Sequence, residues 1–78
     1  MPATRTPRTW TTIETEGRIV ATAGDGAQVA AIRLGNEWLV AATEADADQP
    51  WFSEWFYGRA LARREVRYLM RRMKYPAE

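Results

Sequence analysis

The chain contains no cysteine and no histidine, a single serine (Ser53) and a single lysine (Lys74). Without cysteine there is no disulfide framework, no thiolate zinc site and no thiol nucleophile. Without histidine the commonest metal ligand and general base is missing, and Ser53 has no conventional base to activate it. Long apolar runs are absent too: none approaches the roughly 20 residues of a membrane-spanning helix, and no basic-then-apolar leader opens the sequence. Gly24-Asp25-Gly26 lacks the following lysine and helix of a phosphate-cradling loop. Glu44, Asp46 and Asp48 alternate like oxygen ligands, but without the glycine and distal glutamate of a calcium loop. The expectation is a cytoplasmic, non-membrane, non-catalytic protein with no metal and no cofactor.

What is present is a chain of 78 residues, 46% apolar and 27% charged. That composition is globular, and the length allows one small domain with one modest core. The basic residues are ten arginines against that one lysine. The excess reads either as genomic codon bias or as a choice of forked donors that grip phosphate and carboxylate. The net charge of +1 conceals two opposed blocks. Residues 37–54 carry five acids and no base, whereas residues 55–78 carry seven bases against two acids. Such asymmetry marks either an interaction surface or an internal arrangement in which one block screens the other.

Residues 1–8 hold two prolines and no hydrophobic pattern, and read as a flexible N-terminal arm; residues 9–78 then form one α+β domain. From Thr9 to Thr43, short β-type runs alternate with turn signals. The runs are Thr9–Glu14, Arg18–Ala23, Ala27–Leu34 and Glu37–Thr43, separated by connections too short for crossover helices, so an antiparallel meander of three to four strands is expected. Gly35-Asn36 fits a two-residue hairpin turn, which sets Leu34 opposite Glu37 and Arg33 opposite Trp38. A three-residue Gly24-Asp25-Gly26 loop pairs Ala23 with Ala27; a two-residue turn would oppose Arg18 and Arg33, a disfavoured like-charge contact. This register places Ile19, Ala21, Val29, Ala31, Trp38 and Val40 on one face. Val20, Ala30, Ile32 and Leu39 share the other, so both faces are apolar.

From Trp51 to about Lys74 the periodicity is helical, with Asp48 or Gln49 as cap, Pro50 in the first turn and Tyr75-Pro76 as the stop. Unbroken, this helix is roughly 36 Å long at about 1.5 Å per residue. Gly58 stands inside it as a kink, a close-packing site or a break. One stripe (Trp51, Trp55, Ala62, Val66, Leu69 and Met73, with Phe52 and Met70 at its edge) is assigned to packing on one face of the sheet. A second stripe holds Tyr57, Leu61, Tyr68 and Tyr75, residue types suited to a partly exposed contact. Arg59, Arg63, Arg67 and Arg71 repeat every four residues as a basic ridge, beside Arg64 and Lys74. Like charges at that spacing repel. The helix C-terminus, the acidic connector or an external anion would relieve them.

These two surfaces are the candidate partner-binding residues: Arg59, Arg63, Arg67 and Arg71 with Tyr57, Leu61, Tyr68 and Tyr75. Arginine and aromatic residues are the types enriched at interface hot spots. The expected function is a protein-interaction module that docks on a larger macromolecule. Very small, cysteine-free, arginine-biased chains are often accessory proteins of mobile genetic elements that bind a host component, and that association is carried with the expectation. The alternative is a nucleic-acid-binding domain that lays the arginine ridge on phosphates. Homo-oligomerisation through the tyrosine stripe or an open sheet edge is the third reading.

Overall fold

The computed structural model describes residues 6–76. Five strands, β1 (Trp10–Glu14), β2 (Arg18–Ala23), β3 (Gln28–Leu34), β4 (Glu37–Thr43) and β5 (Phe52–Tyr57), precede one helix, α1 (Arg59–Arg72). The strands form an antiparallel meander in the order β1-β2-β3-β4-β5. The α+β class and the C-terminal helix match expectation; the number of strands and the length of the helix do not.

Local turn chemistry sets the hairpins. Gly35 turns at φ +68° and Asn36 stays at negative φ, the sense of a II′ turn. Leu34 therefore faces Glu37, Arg33 faces Trp38 and Ile32 faces Leu39, as expected. At the preceding turn Ala23 N–H donates to Ala27 O at 2.8 Å, so the loop has three residues and Arg18 meets Ile32 rather than Arg33. Gly26 supplies the positive φ there, and the Asp25 carboxylate accepts from Ala27 N–H at 3.2 Å.

The segment read as the first half of a long helix is instead β5. Phe52 pairs with Ala42, Glu54 with Val40 and Phe56 with Trp38. Trp51 and Phe52 recur four residues later as Trp55 and Phe56, which mimics a helical repeat. The same residues also suit a strand with apolar side chains on both faces, and aromatic residues favour the pleated surface. Pairing also satisfies the outer backbone groups of β4, which a helix would leave open. The expected caps at Asp48 and Gln49 and the first-turn role of Pro50 are likewise corrected, because 44–51 is the connector into β5. Gly58 is no kink inside a helix; it is the strand-to-helix junction, at φ +89° and ψ +153°. That conformation is essentially reserved for glycine.

The 14-residue α1 and its C-cap Met73 lay Ala62, Val66, Leu69 and Met73 on Ile19, Ala21, Val29, Ala31, Trp38 and Val40, all of them 3% exposed or less. Trp10, Phe52, Phe56 and Met70 flank this core. Trp51 and Trp55, assigned from sequence to the buried stripe, are 48% and 51% exposed. The sequence left open which of the two apolar faces carries the helix; it packs on the face of Ile19, Val29, Trp38 and Val40, and the opposite face has no element over it among the described residues.

A Cβ at Gly58 would meet nothing within 4 Å, so the cost of a side chain there is purely conformational. Gly58→Ala is expected to destabilise by about 1–3 kcal/mol in denaturant unfolding. Gly24→Ala, at negative φ and equally unobstructed, is expected to change stability far less.

Candidate interaction surfaces

The arginine ridge is divided by a single carboxylate. Glu14, at the end of β1, accepts from Arg59 Nη1 at 2.9 Å and from Arg63 Nε at 3.1 Å, and also takes Arg63 Nη2. Arg59 further donates to the carbonyls of Thr15 and Glu16, and its guanidinium lies 4.8 Å above the Trp38 ring. The cation over Trp38 is thus Arg59, which reaches it from the helix, in place of the cross-strand Arg33 that its register would offer. Hydrogen bonding from Arg63, then from Arg59, holds the Glu14 carboxyl well below its usual range, at about 2, against some burial that opposes it. The same pairing raises Arg63. Half of the proposed ridge is therefore internal structure.

The other half is free of acids. Arg64, Arg67 and Arg71 have no ion pair among the described residues, and Arg67 and Arg71 are exposed. With Ala60 and Arg63 they line a shallow groove of about 360 Å³. The four aromatic and aliphatic candidates do not form one stripe. Leu61 and Tyr68 are exposed on α1, and Tyr68 is engaged by Arg72, whose Nη1 donates to its hydroxyl at 3.1 Å. Tyr75 lies beyond the helix, with Lys74 Nζ 5.5 Å from its ring centroid. Tyr57 belongs to β5 and stands on the opposite face of the sheet from α1.

Sequence reasoning missed a second charged centre. Of the arm 1–8, residues 1–5 lie outside the described residues, but Arg8 is anchored firmly: its side chain is 2% exposed. Its Nε donates to Asp25 at 3.0 Å, Nη2 to Glu44 at 2.6 Å and Nη1 to Met73 O at 3.1 Å, while its backbone N–H donates to Lys74 O at 2.7 Å. Arg8 thus caps the carbonyl end of α1 from a distant part of the chain, where helices otherwise leave acceptors open. Burial works against the Arg8 charge, but the bonds to Glu44 and Asp25 outweigh it and raise its pKa. The Asp25 carboxyl is lowered, first by Ala27 N–H and then by Arg8. No local sequence signal links Arg8 to residues 17, 36 and 65 positions away.

Five of the nine exposed large hydrophobic residues among the described residues lie on the uncovered face of the sheet. The register places Ile13, Val20, Ala30 and Ala41 in one row across it, and Ile32, Leu39 and Trp55 in the next. Ile13, Ile32, Leu34, Trp55 and Tyr57 are 63%, 41%, 56%, 51% and 68% exposed. Four inter-strand spacings of about 4.8 Å by strands of about 20 Å give roughly 400 Å² in plan. The signal was present in the alternation of Val20, Ala30, Ile32 and Leu39; only β5 had to be added.

No group of three or more His, Cys, Asp or Glu side chains among the described residues is placed to hold a metal ion. No helix among them is long and apolar enough to cross a membrane. Comparison with protein-family models, with curated proteins and with solved structures finds no match.

Two expectations follow from the charged centres. Arg8→Met is expected to cost about 2 kcal/mol in urea unfolding, because Glu44 and the Met73 carbonyl lose their guanidinium donor and Asp25 keeps only Ala27 N–H. Arg8→Lys is expected to recover little of it, since one ammonium cannot span a forked set of acceptors. Glu14 is lowered on folding, so its contribution is complete above its ordinary pKa of 4.5 and disappears as pH falls towards about 2. Glu14→Gln is therefore expected to flatten the acid limb of a stability–pH profile between those values, with the Asp25 contribution remaining.

Proposed function

We propose that this chain is a non-catalytic protein-interaction module that docks on an apolar surface of a larger protein through the uncovered face of its sheet. The observation that supports it is the continuous apolar field from Ile13 to Tyr57, with Trp55 and Tyr57 as large rings at its β5 end. Aromatic anchors surrounded by aliphatic side chains are the composition of interface centres. Arg18 and Glu37 stand at its margin as a polar rim. The absence of histidine and cysteine in the sequence fits a role in binding rather than catalysis. An accessory protein that engages a host component is one instance of this class.

A second reading keeps nucleic acid as the partner, favoured by the unpaired Arg64, Arg67 and Arg71. The five acids of residues 37–54 and the net charge of +1 weigh against it, because a polyanion meets repulsion on that flank.

The test pairs Ile32→Asp/Trp55→Ala on the sheet face with Leu61→Ala/Tyr68→Ala on the helix. The wild-type chain is used to capture a partner from the source cell, and the complex is reconstituted from purified components. The sheet-face variant is expected to lose at least about tenfold in affinity, the scale of one lost hot spot. The helix variant is expected to bind as the wild type does. Retention by the sheet-face variant would overturn the assignment. So would a salt-sensitive preference for duplex or single-stranded DNA. So, too, would concentration-dependent light scattering showing that the sheet face binds only a second copy.

A further inference from the structure

The trough between α1 and the outer edge of β1 is a different surface from the apolar face, and it combines three features that fit a single ligand. The first is an open strand edge. β1 is the terminal strand of the sheet, and its pairing with β2 settles which backbone groups are spent. Thr15 N–H donates to Arg18 O at 2.8 Å, and Gly24 N–H donates to Thr9 O at 3.1 Å. Opposite residues in an antiparallel pair alternate between bonded and non-bonded, so Thr11 and Ile13 turn their backbone groups towards β2. Trp10, Thr12 and Glu14 turn theirs outward. No proline and no lysine blunts this edge.

The second feature is the helix overhang. α1 packs mainly on β2, β3, β4 and β5, which leaves the α1 side of β1 unroofed. The space is a groove of about 530 Å³ whose lining includes Trp10, Met70, Arg67, Arg71 and Lys74. It continues towards Thr12 and Glu14 as a second hollow of about 180 Å³, which shares Arg67 and Met70. Trp10 and Met70 supply an apolar patch in the groove, Thr12 and Glu14 continue it as polar floor, and Arg67, Arg71 and Lys74 form a cationic wall.

The third feature is the charge balance at that wall. The acid that faces it, Glu14, is already held by Arg59 and Arg63, and its lowered pKa keeps it ionised and paired. Asp25 and Glu44, near the groove's far end, are held by Arg8. Arg67 and Arg71 have no such counter-ion among the described residues. Arg63 also sets the reach, since it bonds a carboxylate standing on β1 itself.

We infer that this trough binds an extended, acidic peptide segment of a partner protein by strand addition to β1. Main-chain bonds to Trp10, Thr12 and Glu14 supply the docking, as in other sheet-edge recognition, and alternate side chains supply the specificity. Residues directly opposite one another share a face. Every second side chain of the added strand therefore points beneath the helix wall. The residue opposite Trp10 meets the indole and Met70, and favours a large apolar group. Its neighbours two residues away meet Arg67, Arg71 and Lys74, and favour carboxylates, to which arginine donates forked, charge-assisted bonds. A nucleic acid strand uses the same cations but has no means of using the β1 backbone. That difference makes the two partners separable. The inference also stands apart from the sheet-face reading, since the peptide touches neither Ile32 nor Trp55.

The probe is a short synthetic peptide that alternates glutamate and threonine around one central leucine, titrated by calorimetry and by amide chemical shifts. Binding is expected with shifts centred on Trp10–Glu14 and Arg67–Lys74, falling steeply at about 0.5 M salt, where screening is complete within a few Å. Replacing glutamate by glutamine is expected to weaken it by at least about tenfold, as is Arg67→Glu/Arg71→Glu. The decisive arm is the same peptide N-methylated at the residues that pair with β1, which alters no protein residue and is expected not to bind. Thr12→Pro is the matching change in the protein, and an edge strand tolerates it because the lost N–H faces away from β2. Equal binding of the N-methylated or the glutamine peptide would overturn the inference. Absence of any peptide binding, or tighter binding of an oligonucleotide of equal charge, would do the same. Failure of Ile32→Asp/Trp55→Ala to affect the captured partner bears on the sheet-face reading alone.

Discussion

One short helix has to cover a five-stranded sheet, and that mismatch in size governs the rest of the molecule. The 14 residues of α1 make a rod about 21 Å long and about 10 Å across with its side chains. Five strands span about 19 Å from first to last, and a sheet has two faces. A rod of that width roofs part of one face, over β2 to β5, and no more. It seals Ile19, Val29, Val40 and Trp38 beneath Val66 and Leu69, which leaves the opposite face and the flank over β1 without a roof. Both uncovered surfaces are consequences of this geometry. The chain folds with a core of small side chains, five of them alanines from the sheet and its turns, because only small residues let a single helix sit close enough to exclude water.

Electrostatics then fixes where the helix lies. A helix that packs through one narrow apolar stripe is free to slide along the sheet unless its ends are pinned. Glu14 pins the N-terminal half through Arg59 and Arg63, offsetting a cation at the wrong end of the helix dipole. Arg8 pins the C-terminal end by filling the carbonyls that the last turn leaves open, and ties that end to the turn at Asp25 and the strand end at Glu44. Arg8 is the more consequential of the two, because its side chain is almost wholly enclosed and its partners come from three separate segments. Exposed ion pairs contribute little as a rule. An enclosed guanidinium that holds Asp25, Glu44 and the Met73 carbonyl together is costly to remove, since Glu44 and that carbonyl then lose their charged donor.

How legible the fold is from sequence follows from how local each determinant is. The hairpins at Gly24–Gly26 and Gly35-Asn36 are decided within a few residues, so the approximate strand bounds, the register and which residues share a face are legible in the sequence. β5 could not, because Trp51, Phe52, Trp55 and Phe56 satisfy a four-residue repeat and a two-faced strand equally well. Periodicity does not separate those cases when both faces of a strand are apolar. The aromatic enrichment and the positive-φ requirement at Gly58 were the signals that favour a strand ending in a turn. The two charged centres were illegible for a different reason. Glu14 lies 45 residues from Arg59 and 49 from Arg63, and nothing in a local pattern couples them. An arginine ridge on one helix was therefore read whole, whereas the fold spends Arg59 and Arg63 on itself and leaves Arg67 and Arg71 outward.

The two surfaces meet at β1, and that adjacency bears on how strongly a partner could be held. Roughly 400 Å² of sheet face is about half of what one side of a typical stable interface buries, near 800 Å² per partner. The face alone therefore suits a transient contact. A strand added at β1 would lengthen the sheet by one strand and carry its own outer side chains into line with Thr11 and Ile13, so the apolar field would grow as the edge is filled. The charge distribution favours the same approach. The acids of residues 37–54 lie along β4, the connector and β5, whereas the free cations of α1 overhang β1. The cationic wall would draw an acidic segment towards β1, where Glu14, Asp25 and Glu44 are already held by arginines. The near-neutral total charge is thus the sum of separated blocks, and their placement rather than the total is what would bias the approach of an acidic segment.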